Sequence, residues 1–240
     1  MVNSKLDLQG YSKEFKKNKV VRIENFLDKD YANEIYNFFT TQMPRDWWYL
    51  STKPNRPEIQ EKTDNVRLST NDLNPLINSL VSYKKSLADE HFQLGNFSYS
   101  FKRTIGNHVL GCECIECGLK SFLQSQKGIK FINNITNYNV TKSDSLFSSL
   151  YEYGDFLATH HDGANGKIGF VYNLCPNWKP DWGGLLHTLS EDKTKVLNTY
   201  VPQFNSLTLF DSSTETGYPH YVSHVVNKKA KRFSFAGWYK

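Results

Sequence analysis

The sequence predicts an α+β protein in which a double-stranded β-helix, a jelly-roll and cupin-like core, is buttressed by N-terminal helices. From Ser145 onward, short alternating stretches separated by turns form eight candidate strands within fewer than 100 residues, a density typical of a double sheet or barrel. Before that residue, several segments repeat apolar side chains at helical spacing, and such helices can cover one face of a sheet.

Composition indicates a globular protein that lacks a membrane segment. The chain has 240 residues, of which 39% are hydrophobic and 22% charged, and its mean hydropathy is -0.57. Its net charge of +5 is too small to require a nucleic-acid partner, and no stretch approaches the roughly 20 apolar residues of a membrane span. The polar start MVNSKLDLQG does not resemble a secretion signal, so we expect a cytoplasmic protein without nucleic-acid or membrane partners.

No repeat or linker divides the chain, so we expect one domain over residues 1–240, with a support region at 1–144 and a jelly-roll catalytic core at 145–240. In the support region, Asp28 is a candidate N-cap for a helix that presents Ile35, Phe38 and Phe39. The segment 51–65 lacks periodicity and predicts an exposed loop, either a substrate lid or an ordinary polar loop. The remaining predicted elements are strands at 20–26, 47–50, 66–69 and 97–104 and helices at 75–92, 119–126 and 129–138.

A metal-binding pattern occurs in the core. In YEYGDFLATHHDG, His160 and Asp162 lie two residues apart near a strand end, so their side chains leave the same face. A third ligand is available at His224 in YVSHVV, with His220 as the rival four residues earlier. Two histidines and one carboxylate form the facial triad that suits ferrous iron and leaves positions open for substrates. Strand alternation directs the neighbouring His161 away.

A possible anion site accompanies this triad. Arg232 and Ser234 in RFS lie two residues apart on the strand that follows His224, and therefore share a face. A guanidinium inside a barrel requires an anionic partner, and it binds carboxylates in bidentate geometry. We infer that the ligand is 2-oxoglutarate.

In its core, the chain resembles the Fe(II)/2-oxoglutarate-dependent dioxygenase superfamily, in the prolyl hydroxylase branch that acts on hypoxia factors and ribosomal protein. The resemblance runs in order through Tyr151, Gly154, Leu157, His160 and Asp162, and then through NWKPDWGGLL, SLTLF, HVV and RFSFAGWY. It implies that Tyr151 helps Arg232 and Ser234 to hold 2-oxoglutarate. Tyr172 is a further candidate, for the cosubstrate pocket or for the core. The ribosomal-protein enzymes carry a second barrel, and since the sequence ends at Lys240 we expect the catalytic barrel alone.

The resemblance implies an Fe(II)- and O2-dependent enzyme, a peptidyl-prolyl 4-hydroxylase that converts 2-oxoglutarate to succinate and CO2, with L-ascorbate as a possible further requirement. Its partner would be a protein or peptide that contains proline. Two alternatives stay open: a hydroxylase of free proline or another small molecule, and a non-enzymatic jelly-roll binding module. A nucleic-acid demethylase is disfavoured, because RFSFAGWYK lacks the second arginine typical of those enzymes.

Three of the four cysteines lie close together in the sequence HVLGCECIECG. Cys112, Cys114 and Cys117, together with His108, are zinc-type ligands at compact spacing. Thiols in this pattern can form a structural zinc site, or they can simply be buried.

Overall fold

Strands dominate the second half of the molecule and helices the first. The computed structural model describes residues 1–53, 64–70, 74–105, 111–163, 165–213 and 215–240. The helices are α1 (Leu8–Asn18), α2 (Lys29–Asn37), α3 (Pro75–Gln93), α4 (Ile115–Gln124) and α5 (Gln126–Thr136). The strands are β1 (Val20–Glu24), β2 (Tyr49–Lys53), β3 (Asp64–Arg67), β4 (Tyr99–Arg103), β5 (Ser143–Tyr151), β6 (Phe156–His160), β7 (Ile168–Asn173), β8 (Leu186–Leu189), β9 (Val196–Tyr200), β10 (Ser206–Asp211), β11 (His220–Val222) and β12 (Arg232–Tyr239).

The last eight strands form the predicted double-stranded β-helix. One antiparallel sheet has the order β5-β12-β7-β10, and the opposing sheet has the order β6-β11-β8-β9. Strand β4 pairs with β5 through Lys102 and Arg103 and with β6 through Tyr99 and Ser100, so it joins the two sheets along one edge. The predicted fold class is therefore confirmed. Seven of the eight strands lie at their predicted positions, whereas β11 spans His220–Val222 and shares only its last two residues with the predicted segment YVSHVV.

The alternation along β12 separates two environments. Phe233 and Phe235 belong to the main apolar core, which lies between the β5-β12-β7-β10 sheet and the helices. Arg232, Ser234 and Ala236 point to the opposite side, into the space between the two sheets. Because successive side chains of a strand leave opposite faces, one strand supplies both the helix-side core and the wall of the inner cavity.

The helical layer differs from expectation mainly at its start. Helix α1 was not predicted, because most of its side chains are exposed, several of them lysines, and only Phe15 is buried. Asp7 is the N-cap residue of this helix, and its carboxylate accepts a hydrogen bond from the Gly10 N–H at 2.9 Å. Asp28 does precede α2, but its side chain makes no capping bond and instead meets the N-terminal amino group at 2.7 Å. In the described part of the chain, no helix combines the length and apolar character needed to cross a bilayer.

The predicted loop at 51–65 is partly strand. Residues 51–53 belong to β2 and residues 64–65 belong to β3, and these two strands pair with each other. The loop prediction was therefore wrong at both ends, where paired backbone groups satisfy one another despite the mixed charges of the sequence. Residues 54–63 lie outside the described part of the chain, so the lid hypothesis stays a prediction.

Candidate active site

Two adjacent antiparallel strands bring two histidines and one aspartate together. His160 ends β6 and lies directly opposite His220, the first residue of β11. Asp162 follows two residues after His160, and its oxygens lie 3.2 Å from His160 Nε2 and 3.4 Å from His220 Nε2. One ligand atom from each of these three residues lies within 4.8 Å of the other two, so the cluster could hold a metal ion.

The prediction that His224 completes this cluster is wrong. Antiparallel pairing runs β11 backward along β6, so a residue four positions after His220 approaches the beginning of β6 instead of its end. The His224 ring accordingly stacks on Phe156 at 4.2 Å and contacts Phe92 at 4.8 Å. Its Nε2 lies 3.6 Å from Asp89, and burial lowers its pKa. The third member of the cluster is His220, the residue weighed as the rival.

Backbone carbonyls fix how the two histidines present themselves. His160 Nδ1 lies 3.0 Å from the Ala158 carbonyl and His220 Nδ1 lies 3.1 Å from the Tyr218 carbonyl. A carbonyl only accepts, so each Nδ1 carries the hydrogen, and Nε2 of a neutral ring then offers a lone pair toward Asp162. Such carbonyl partners are typical of metal-ligating histidines, whose orientation and basicity they set.

Asp162 is buried and ionised in this setting. Burial raises its pKa, but the two facing imidazoles, as hydrogen-bond donors when no metal ion is bound, outweigh that effect and hold the pKa well below its ordinary range. Trp238 Nε1 also donates to Asp162 Oδ2 at 2.9 Å, which fixes the carboxylate. Two imidazole lone pairs facing a carboxylate repel one another unless a cation or added protons lie between them. The donor set therefore fits a divalent metal ion such as Fe(II).

A buried guanidinium lies in the same inner cavity. Arg232 is only 2% exposed, its Nη1 donates to Ser234 Oγ at 3.1 Å, and its Nη2 lies 3.4 Å from Asn173 Oδ1. Its Nε has no hydrogen-bond partner among the described residues. Burial lowers the pKa of Arg232, yet guanidinium remains charged in proteins. The arrangement thus holds a positive charge with an unused donor, which suits a carboxylate ligand.

The two predicted tyrosines have different surroundings. The Tyr151 ring lies 5.0 Å from the Arg232 guanidinium and stacks on Phe101 at 4.8 Å, and burial raises its pKa, so its hydroxyl stays protonated. Tyr172 points to the other side of β7, where it donates to Asn205 at 3.0 Å and packs within the helix-side core. The cosubstrate-pocket prediction for Tyr172 is therefore wrong, since strand parity gives the inward position to Asn173.

The cavity that these groups share has a volume of about 520 Å³. Of the predicted site residues, it is lined by His160, Asp162, Tyr151, Arg232 and Ser234. The sequence analysis weighed His220 only as a rival ligand, and it missed further polar and charged lining residues, among them Lys53, Arg103, Ser149, Asn165 and Trp238.

Arg103 is the most informative of these. It lies on β4 with its guanidinium 5.7 Å from the Phe147 ring, and its buried Nε lacks a partner in the described part of the chain. The alternation of YSFKR placed it on the cavity side, but no local signal marked that strand as part of the wall.

Two further histidines of the described chain, His161 and His187, lie outside the cluster. His161 is exposed and its Nε2 contacts the Gly217 carbonyl at 2.7 Å, on the side away from the cavity that strand alternation predicts. His187 stacks on Tyr221 at 4.5 Å, and its Nδ1 contacts the Thr199 hydroxyl at 3.0 Å. Neither belongs to a metal-type cluster of side chains among the described residues.

Sequence comparison agrees with the fold and this geometry. Residues 146–240 match the family model of the 2OG-Fe(II) oxygenase superfamily. Prolyl 3-hydroxylase OGFOD1 of Xenopus laevis is 27% identical over 191 residues, which covers 73% of this chain and 35% of the relative. The Mus musculus protein of the same name is 26% identical over 114 residues, covering 45% of this chain and 21% of the relative. This chain thus spans about a third or less of the curated relatives that it matches.

Solved structures of low identity share the fold. A prolyl hydroxylase from Trichoplax adhaerens in complex with a hypoxia inducible factor peptide superposes with a TM-score of 0.58 at 21% identity, covering 97% of this chain and 88% of that one. A Pseudomonas putida prolyl-4-hydroxylase gives 0.54 at 15% identity, with coverages of 97% and 98%. The alpha ketoglutarate dependent epimerase SnoN gives 0.53 at 9% identity, with coverages of 96% and 81%. The epimerase shows that this fold carries more than one reaction.

The fold and the three-residue cluster agree with the match of residues 146–240 to the 2OG-Fe(II) oxygenase superfamily model. The chain is similar in sequence to prolyl 3-hydroxylases and shares its fold with a prolyl hydroxylase of known structure.

Proposed function

We propose that this protein hydroxylates a prolyl residue of a peptide or protein in a reaction that uses Fe(II), O2 and 2-oxoglutarate. One observation carries the proposal: a single cavity holds two different binding groups. The first is a cluster of two imidazoles and a carboxylate whose facing atoms can act as acceptors, and the second is the buried Arg232 guanidinium, whose Nε–H has no hydrogen-bond partner among the described residues. The first feature calls for a metal cation and the second for an anion. A chelating 2-oxo acid with a distant second carboxylate meets both requirements at once.

Each part of the cavity has a role in this reaction. His160, Asp162 and His220 would hold the iron, which when bound supplies the activation of dioxygen. Arg232 would bind the far carboxylate of 2-oxoglutarate. The Ser234 hydroxyl, whose Oγ lies 3.1 Å from Arg232 Nη1, and Tyr151, whose raised pKa keeps its hydroxyl a hydrogen-bond donor, would assist. Trp238 would hold Asp162 in its ligating orientation. Phe101 and Leu186 at the cavity wall would exclude water.

Similarity to relatives supports proline as the target. The curated relatives are prolyl 3-hydroxylases, whereas one structural neighbour is a prolyl-4-hydroxylase. The sequence analysis favoured the 4-position. The higher sequence identity of the 3-hydroxylases now favours the 3-position, and the identity of the product separates the two directly.

The test is peptide-dependent turnover with iron, 2-oxoglutarate and ascorbate. Incubation with a proline-containing peptide library should yield peptides heavier by one oxygen atom, together with succinate, and amino-acid analysis should identify 3- or 4-hydroxyproline. Succinate formed with free proline but with no peptide would contradict the proposal and favour a small-molecule hydroxylase. Bound metal without any 2-oxoglutarate decarboxylation would instead favour a binding module.

Matched histidine variants locate the metal. H220A and D162A should abolish both succinate formation and tight Mn²⁺ binding, because each removes one of three ligands. H224A is the control: this residue packs on Phe156 outside the cavity, so metal stoichiometry should be retained even if stability falls. Loss of metal in H224A with retention in H220A would reverse the assignment.

A further inference from the structure

Three thiols meet at the start of α4, outside the cavity described above. Cys112, Cys114 and Cys117 form no disulfide, and their sulfur atoms all lie within 4.8 Å of one another. None of the three lines the active-site cavity, and the oxygenase reaction proposed above has no use for them.

The backbone of this segment favours convergence. Cys114 is the N-cap residue of α4 in an extended conformation, and Cys117 lies in the first helical turn. Gly111 immediately before Cys112 adopts a φ of +75°, a conformation that glycine reaches at low cost. The turn so formed brings Cys112 back toward the helix. Cys117 is buried, while Cys112 and Cys114 are part-exposed, so an ion could enter from solvent.

The spacing suits a metal ion better than a cystine. Sulfur ligands about 2.3 Å from a tetrahedral Zn²⁺ are separated from one another by roughly 3.8 Å, so sulfurs within 4.8 Å need only small side-chain rotations to bind it. A disulfide joins two sulfurs at about 2.05 Å and would leave the third unused.

We propose that Cys112, Cys114 and Cys117 bind one Zn²⁺ ion through three thiolates, with the fourth tetrahedral position on the exposed side. Soft thiolate ligands select zinc over the harder cations that carboxylates prefer. His108, which the sequence suggested as a fourth ligand, lies outside the described residues and is not part of the proposed set.

The consequence of binding follows from what α4 supports. Glu116, inside the same turn, accepts a hydrogen bond from the Ser148 hydroxyl of β5 at 2.7 Å and lies 3.1 Å from Lys120. Strand β5 continues to Tyr151, which lines the cavity. A zinc ion on the three thiols would therefore fix the start of the helix that braces this wall, and its role would be structural.

The experiment uses the full chain as D162A, in which the competing histidine site is disabled, and Co²⁺ as the spectroscopic probe. One equivalent of Co²⁺ should bind with the near-ultraviolet thiolate-to-metal charge-transfer absorption that histidine and carboxylate ligands do not give, and one equivalent of Zn²⁺ should displace it. Adding C112S, a part-exposed position that should not disturb folding, should weaken binding at least tenfold.

Adding C175S instead is the matched control, since Cys175 is buried elsewhere and contacts the Phe233 carbonyl at 3.3 Å. Its charge-transfer band should be unchanged. Absence of that band in D162A, or equal affinity in the C112S variant, would overturn the proposal. Mass spectrometry that finds a disulfide and no zinc uptake by the reduced protein would overturn it in favour of a redox pair. Because succinate formation is not measured, these outcomes are independent of the oxygenase proposal.

Discussion

Replacing Arg232 by glutamine should abolish most of the affinity for 2-oxoglutarate while leaving the fold intact. The guanidinium is buried, and its Nε is unpaired in the described part of the chain. Hydrogen bonds to charged groups contribute about 1.5–3 kcal/mol, and about 1.4 kcal/mol corresponds to a factor of ten. Loss of one such bond should therefore raise the Kd for 2-oxoglutarate by about 10- to 150-fold.

Thermal unfolding under anaerobic conditions, with Mn²⁺ in place of iron, measures this loss without turnover. At a 2-oxoglutarate concentration 100 times the wild-type Kd, ligand stabilises the wild type by about 2.7 kcal/mol, whereas a variant with a 100-fold higher Kd gains about 0.4 kcal/mol. For a chain of this size, 1 kcal/mol shifts Tm by about 2–4 °C. The expected ligand-induced shifts are thus about 5–11 °C for the wild type and about 1–2 °C for R232Q.

K231Q is the matched control, because the Lys231 side chain is 60% exposed and lies 3.8 Å from Glu152. It changes the same net charge at the adjacent position and should keep the wild-type shift. R232K should fall between the two, since it keeps the charge but loses the planar fork. Equal shifts in R232Q and wild type would remove Arg232 from the cosubstrate site.

Three further perturbations test other parts of the structure. W238F removes the donor to Asp162 Oδ2 and should weaken Mn²⁺ binding about 10- to 100-fold, as titration would show; unchanged affinity would deny Trp238 a positioning role. G183A should lower the free energy of unfolding by at least about 2 kcal/mol, because a Cβ would lie 1.9 Å from the His224 carbonyl at a φ of +70°, and wild-type stability in urea would contradict this. Burial raises the pKa of Asp211, but hydroxyl donors outweigh burial and lower it, so the stabilisation from its carboxylate is present above the unfolded pKa of about 3.9 and is lost as pH falls below that value. D211N should therefore be less stable than wild type by about 1–3 kcal/mol at neutral pH. Urea titrations should find a smaller difference near pH 3, and a difference that does not change with pH would refute this reasoning.

Local alternation predicted the strands of the β5-β12-β7-β10 sheet because each of them separates a helix-side face from a cavity-side face. In RFSFAGWY the phenylalanines enter the apolar core and the intervening Arg232 and Ser234 enter the cavity. Helix α1 escaped prediction for the complementary reason. Phe15 is its only buried residue. Its packing against α5 and β1 depends on residues distant in sequence, so the sequence of the helix alone does not predict it.

The third member of the metal cluster required pairing information as well as parity. His220 and His224 are four positions apart, so both have the parity of an inward residue and parity does not separate them. The deciding fact is that β6 and β11 run antiparallel, so that the end of one meets the beginning of the other. His160 is the last residue of β6, and it can only face the first residue of β11. No strand pairing was predicted from the sequence, and the resemblance through the HVV segment favoured His224 instead.

Residues that act through distant strands could not be found from local pattern. Arg103 and Trp238 lie on β4 and β12 and line the cavity that forms where the two sheets close on one another. Asn173 reaches Arg232 through the pairing of β7 with β12. Trp238 is separated from its acceptor Asp162 by 76 positions. No period of two or of 3.6 residues encodes such a contact, so only closure of the barrel reveals it.

The polar interior of this barrel contains buried charged groups that need bound ligands as partners. A buried guanidinium that lacks a counter-ion, and a carboxylate faced by imidazole lone pairs, both oppose folding, because burial of unpaired charge costs several kcal/mol. The helix-side core, with Phe26, Tyr172 and Phe235 fully buried, supplies the apolar burial that offsets this cost. The same strands that carry the strained inner face carry that core on the outer face. A metal ion and an anionic cosubstrate would relieve the inner face, so both should raise the unfolding temperature more together than the sum of their separate effects.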